Sequence, residues 1–266
     1  MASDTRNVKL GVCKVFYDGN DLGYTQGGVE FSVNTMTHKV NVDQFGKTTI
    51  NETIIGRECT IKTPFAETTL QNMQALLPNL SLTLEGSLIQ RLGVDTGIGV
   101  SLLETAKMLT LHPINKKDWD FSDEVIVPIT NTPGQLTFAY DLEKERIFNT
   151  EFIGYPDPAS GALFYAGNPF TDAPNKTFTI TTATGSVVTG TGFTAGMTGK
   201  MAMLGVIDSS SVLGAGLLPR KLYYVKFVSA TTVSLHNSYL DAIAGTGAVA
   251  ITGAGTGTGQ RLTVLN

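Results

Sequence analysis

Residues 27–45 read Gly-Gly-Val-Glu-Phe-Ser-Val-Asn-Thr-Met-Thr-His-Lys-Val-Asn-Val-Asp-Gln-Phe, and residues 54–63 read Ile-Ile-Gly-Arg-Glu-Cys-Thr-Ile-Lys-Thr. A strand points successive side chains to opposite faces, so apolar residues two apart mark one buried face. Val29, Phe31 and Val33 share one face. Met36, Val40 and Val42 share the other, and the change of phase between Val33 and Met36 predicts a bulge. Glu30, Ser32 and Asn34 then face water or another chain. In the second stretch Cys59 and Ile61 alternate with Glu58, Thr60 and Lys62. Two long strands, Val29 to Phe45 and Ile54 to Thr63, flank a polar segment, Asp43 to Glu52, centred on Gly46.

The neighbouring sequence has the same character. Lys9 to Tyr17, Leu80 to Leu84, Val125 to Ile129, Gln135 to Tyr140 and Arg146 to Ile153 read as strands. Asp18-Gly19-Asn20-Asp21 and Thr132-Pro133-Gly134 read as turns between them. Leu88 to Val100 reads as a glycine-rich connection, and Glu104 to Leu111 as a strand or a short helix. Thr63-Pro64 opens the one helix signal: Thr as N-cap, Pro at the first helical position and Glu67 in the first turn. Leu70, Met73, Leu76 and Leu77 form its apolar face, expected to pack on a sheet.

Composition changes near residue 166. The last 101 residues hold 15 of the 29 glycines. Phe178 to Thr182, Met201 to Ile207, Leu222 to Val228, Thr232 to His236, Val249 to Thr252 and Arg261 to Leu265 are short strands at sandwich-like spacing. Ser229-Ala230-Thr231 is a turn, and Gly253 to Gly259 a loop within a folded module. The expectation is a mainly β protein with a first domain at 1–168, one flanking helix, and a smaller β-rich domain at 169–266. Asn168-Pro169 marks the junction.

Charge limits the functions available. The chain of 266 residues has a net charge of −4. Residues 1–165 hold 13 Lys and Arg against 20 Asp and Glu, and residues 166–266 hold six against three. Gripping nucleic acid takes many cations on phosphates, which this balance does not provide. No apolar run reaches membrane-spanning length, and Met1 to Leu10 lacks a signal-peptide core, so a cytosolic product is expected. Cys13 and Cys59 are read as buried small apolar residues in preference to a disulfide or a ligand pair.

Catalytic and cofactor signatures are not found. His38, His112 and His236 lie far apart, outside metal-ligand spacing. Gly199-Lys200 lacks the upstream glycine and the following Ser or Thr of a P-loop, and Gly97-Ile98-Gly99 lacks the third glycine of a dinucleotide fingerprint. Asp118, Asp120, Asp123 and Glu124 match no EF-hand and are read as a solvated loop beside Lys116-Lys117. The expectation is a protein with no catalytic, cofactor or metal site.

Two groups of residues carry a family resemblance. One is Gly28-Val29-Glu30-Phe31-Ser32, then Val42-Asp43-Gln44 with Gly46, then Gly56-Arg57-Glu58, then the helix after Ala66-Glu67. The other is Leu109-Thr110-Leu111-His112-Pro113, Phe138-Ala139-Tyr140-Asp141 and Phe152 through Pro158. Their order resembles the tail tube (major tail) proteins of long-tailed, non-contractile bacteriophages over residues 8 to 165. Leu218-Pro219, Tyr223-Tyr224-Val225, Val228-Ser229-Ala230-Thr231-Thr232 and Ala254-Gly255-Thr256-Gly257 resemble β modules appended to phage tail and fibre proteins. The resemblance implies a curled-sheet or sandwich subunit that forms hexameric rings stacked into a hollow conduit for DNA ejection. It implies as partners other copies of the chain, the tape measure and tail terminator proteins, and double-stranded DNA in transient, non-specific passage. The protein would be assembled in the host cytoplasm, reside in the virion tail and carry no membrane anchor. Glu30, Ser32 and Asn34 would face the lumen or the subunit seam. Asp43, Gln44, Phe45, Gly46, Lys47, Thr48 and Thr49 would form a ring-stacking loop; the other reading of that segment is a mobile surface loop. The rival functional reading is a β-sandwich adhesin or carbohydrate-binding module of a tail tip or fibre.

Overall fold

A computed structural model describes residues 8–9, 11–78, 80–143, 145–158, 160–171 and 177–265. Much of the polar start, residues 1–7 and 10, lies outside the described residues. In chain order the first strands are β1 (Cys13–Tyr17), β2 (Asn20–Asp21), β3 (Glu30–Asn41) and β4 (Thr49–Phe65). Helix α1 (Leu70–Leu76) follows, then β5 (Leu80–Glu85), β6 (Leu88–Val94), β7 (Lys107–Pro113), β8 (Val125–Asn131), β9 (Phe148–Gly154) and β10 (Tyr165–Ala166). The remainder comprises β11 (Thr177–Thr184), β12 (Val187–Gly190), β13 (Met201–Val206), β14 (Leu222–Ser229), β15 (Thr232–His236), α2 (Tyr239–Ala244) and β16 (Gln260–Val264). The fold is mainly β, with several antiparallel sheets and, among the described residues, one helix as long as seven residues.

The chain forms two compact units. One comprises Met1–Tyr24, Lys107–Pro128 and Pro158–Asn266. Within it β1 pairs with β7 over five residues, and β2 folds back on β1 through a turn at Asp18 and Gly19, both with positive φ. Strands β11, β12, β15, β14, β13 and β16 close on themselves as a barrel, because β11 pairs with β16. Inward positions two apart fill it: Ala202 and Leu204, Tyr223 and Val225, Val233 and Leu235, Leu262 and Val264. Fully burying a side chain of Val, Leu or Ile size contributes about 1.5–3 kcal/mol, so these strands supply the barrel's driving force.

The other unit comprises Thr25–Ala106 and Ile129–Asp157. Here β9 pairs with β4, and β4 pairs with β3. Ile61, Phe65, Phe148 and Phe152 lie on one face of this sheet and are buried. Phe65 and Phe152 meet edge to face at 6.5 Å. The hairpin β5–β6 is a separate two-stranded sheet, with α1 beside β6.

Several sequence expectations are corrected. Thr63 and Pro64 lie inside β4 and do not open a helix. Pro64 is tolerated because it lies past the end of β3, where its carbonyl accepts from the Gln26 amide at 3.0 Å. The N-cap is Thr69, whose hydroxyl accepts from the Asn72 amide at 3.1 Å. Residues 88–94 form a strand, with the preceding turn at Gly86. Gln135 to Tyr140 holds no strand and makes one bridge, Thr137 to Asn149. Val249 to Thr252 likewise contributes a bridge, Gly185 to Ile251. Of the segment Glu104 to Leu111, the part from Lys107 is strand, in β7, and Glu104 and Thr105 form a turn. Cys59 is buried but Cys13 only half so, and both are free thiols. Glu124 is no member of a solvated loop: it is fully buried beside His112 and Arg220. The expected division at 168 also differs from the compact units, since residues 8–24 and 107–128 belong with the barrel.

Candidate assembly surface

Glycines Gly27 and Gly28, at φ 107 and 89, lead the chain into β3 through a conformation that L side chains rarely adopt. From Glu30 the strand pairs with β4 along its whole length, Glu30 opposite Lys62 and Asn41 opposite Thr49. β9 supports β4 only from Cys59 to Phe65. Beyond Cys59 the hairpin is therefore a ribbon of two strands, roughly 25 Å long at the usual strand rise. Among the described residues no strand lies along the outer side of β3. Such an edge presents backbone donors and acceptors to a neighbour.

The ribbon's faces follow from register. Phe31 and Val33 lie opposite Ile61 and Cys59, the buried residues of β4. Glu30, Ser32 and Asn34 occupy the reverse face, opposite Lys62, Thr60 and Glu58. Glu30 and Asn34 are exposed, while Ser32 is half-buried with its hydroxyl 2.7 Å from that of Thr60. The bulge expected near Val33 lies at Met36/Thr37 and its extra residue is Ile55, on β4. A second register shift at Val40/Asn41 inserts Ile50. Each insertion lets a strand of β-branched residues put apolar groups where alternation would place polar ones. Ile50, Ile54 and Ile55 are 49%, 52% and 68% exposed.

The tip is a 3-10 turn, Asp43–Phe45, followed by Gly46 at φ 61 and ψ −131, a conformation suited to glycine. Asp43, Gln44, Phe45, Gly46, Lys47, Thr48 and Thr49 are all exposed, and Thr49 already belongs to β4. Phe45 is 66% exposed, a large aromatic at the end of a projecting ribbon. Lys39, Lys47, Arg57 and Lys62 are matched by Glu30, Asp43, Glu52 and Glu58, so the ribbon has no net formal charge. Lys39 faces Glu52 directly across the strands, a pairing that supports the ribbon.

At the ribbon's base lies an open cleft of about 490 Å³, lined by Gly27, Gly28, Glu30, Lys62, Gln135 and Glu151 among others. Of the four helix residues expected to pack inward, Leu76 is buried, Met73 and Leu77 are half-buried, and Leu70 is exposed. Sequence reasoning placed Phe45 in the loop at the tip but missed Ile50, Ile54 and Ile55 as exposed groups. The adjacent pair Ile54-Ile55 carried the signal, since alternation cannot place both on one face without an extra residue.

No group of three or more His, Cys, Asp or Glu among the described residues is arranged to hold a metal ion. No helix among them is long and apolar enough to cross a membrane. Compared with known proteins, the chain matches no family model and no curated sequence.

Proposed function

We propose that the protein is the repeating subunit of a bacteriophage tail tube, a structural protein and not an enzyme. The observation that carries this reading is the β3–β4 ribbon: an edge strand that no described strand neighbours, with exposed isoleucines and an exposed Phe45. A two-stranded hairpin of this kind is marginal in water alone, and pairing with another copy would stabilise it. A ring closes when each copy meets the next through unlike surfaces at a fixed rotation. Stacking of rings is a heterologous contact that does not close, and it yields a filament. Glu30, Ser32 and Asn34 are the residues proposed to face the lumen or seam, and residues 43–49 to bridge successive rings. A ribbon with balanced charges suits a conduit that DNA passes without being held.

Negative-stain electron microscopy and light scattering of the purified protein, across salt and concentration, test the reading. Hollow tubes or six-membered rings are expected. A stable monomer under every condition, with no rings, overturns it. The adhesin reading has one observation in its favour, the exposed Tyr239 ring beside Tyr224 on the barrel, with ring centroids 6.2 Å apart. A monodisperse protein retained on a polysaccharide column would favour it instead.

A further inference from the structure

We propose that Arg220 staples the closed barrel to the strand pair β1–β7 and the loop that follows it, so that this compact unit folds as one and the barrel is no removable appendage. Arg220 sits in the connection between β13 and β14, at φ 56, and is 3% exposed. Its Nε and Nη2 donate to Glu124 Oε1 at 2.8 and 2.6 Å, and Nη2 also donates to the Asp118 carbonyl at 2.7 Å. The guanidinium lies between two rings, 4.8 Å from the centroid of Phe16 on β1 and 4.6 Å from that of Phe121. Glu124 is 0% exposed, and the same oxygen lies 2.7 Å from Nδ1 of buried His112 on β7. The carboxylate makes that nitrogen the donor.

The chemistry makes the coupling obligatory. A buried carboxylate without a cation, or a buried guanidinium without an anion, carries a large desolvation cost that its partner offsets. Arg220 and Glu124 are 96 residues apart in sequence. In the assembled unit each charge is buried against the other, so removing either partner leaves the other buried without compensation. Lysine would not substitute, because a single ammonium cannot reproduce the planar fork that grips Glu124 Oε1 twice and the Asp118 carbonyl while stacking on two rings.

Other contacts in this unit run the same way. A Cβ on Gly19, in the β1–β2 turn, would come within 2.8 Å of the Pro219 carbonyl oxygen, so the turn and the Arg220 segment are in close backbone contact. The Thr263 hydroxyl on β16 donates to the Pro169 carbonyl at 2.9 Å, and the Tyr165 hydroxyl on β10 to that of Leu265 at 2.8 Å.

The full-length chain provides its own reporters. Trp119, the sole tryptophan, lies in the loop that Arg220 grips. Barrel opening is read by amide hydrogen exchange of residues 222–236, and loop opening by exchange of residues 107–128. In the wild type both segments should exchange with the same urea dependence, and Trp119 fluorescence should change at the same midpoint. In R220M, exchange of 107–128 should rise about a hundredfold or more over that of 222–236, and the transitions should separate. Should R220M fail to fold, E124Q, which keeps shape and removes the charge, is judged by the same criterion. Separate transitions in the wild type overturn the proposal. So does a folded variant whose two segments remain coincident and unchanged.

Discussion

The ring of Phe170 fills the space that Gly205 leaves by lacking a side chain. A Cβ on Gly205 would come within 2.5 Å of Cζ of Phe170 and 2.9 Å of Cζ of Phe121. The two rings pack edge to face at 4.7 Å, so neither can turn aside without disturbing the other. G205A is therefore expected to lower stability by about 1–3 kcal/mol through overpacking. Urea melts followed by Trp119 fluorescence check this, and a change below about 0.5 kcal/mol would show that the rings yield freely.

Ile54 and Ile55 offer a direct test of the ribbon. The double variant I54T/I55T removes exposed apolar groups, so the monomer's own stability should change by no more than about 0.5 kcal/mol. Assembly should weaken: losing the burial of two such side chains should raise the concentration needed for tubes at least roughly tenfold. Sedimentation velocity across a dilution series measures it. An unchanged assembly concentration would remove the ribbon's outer half from the interface.

On the proposed reading, the tip should separate ring formation from stacking. Replacing Gly46-Lys47-Thr48 with a two-residue Asn-Gly turn should leave single rings visible by electron microscopy and abolish long tubes. Tubes of normal length from that variant would rule out a stacking role for residues 43–49.

Cys59 links the sheet to pH. Burial pushes its thiol up to about 11, above the ordinary value of about 8.5. The folded state thus holds this proton more tightly than the unfolded chain does. Its contribution to stability is complete below the ordinary value and is lost as pH rises through about 11. Wild-type protein should lose more stability than C59A over that rise. At neutral pH a thiol reagent should label Cys59 only as fast as the chain unfolds, as read by peptide mass spectrometry.

Long amphipathic strands were legible because each residue alternation reports one face. β3, β14 and β15 are found where Phe31/Val33, Tyr223/Val225 and Val233/Leu235 place them. Helix α2 had a readable signature that was passed over: Ser238 caps the Asp241 amide, and Gly245 ends the helix at φ 76. Thr63-Pro64 misled because a proline beyond the end of a neighbouring strand resembles one that opens a helix. The staple was not legible at all. Glu124 follows three aspartates that do lie on the surface, and nothing local distinguishes it. Its partner is 96 residues away, and only the closure of the barrel brings Arg220 to it. The exposure of Ile54 and Ile55 was equally hidden, because periodicity says which face is apolar and not whether the chain covers it.

The six-stranded barrel also bears on how many neighbours a copy can recruit. A sheet closed on itself has no terminal strand, so it offers no backbone ladder for another chain to extend. Among the described residues the longest sheet edge without a neighbouring strand is that of β3, and the barrel adds none. In the proposed tube, copies joined through that element would add at the ends of a growing row, while their barrels would offer adjacent rows no strand edge. Growth along one dimension without bundling is the difference between a dispersed filament and a precipitate, and in the proposed tube a closed hydrogen-bond circuit would favour it.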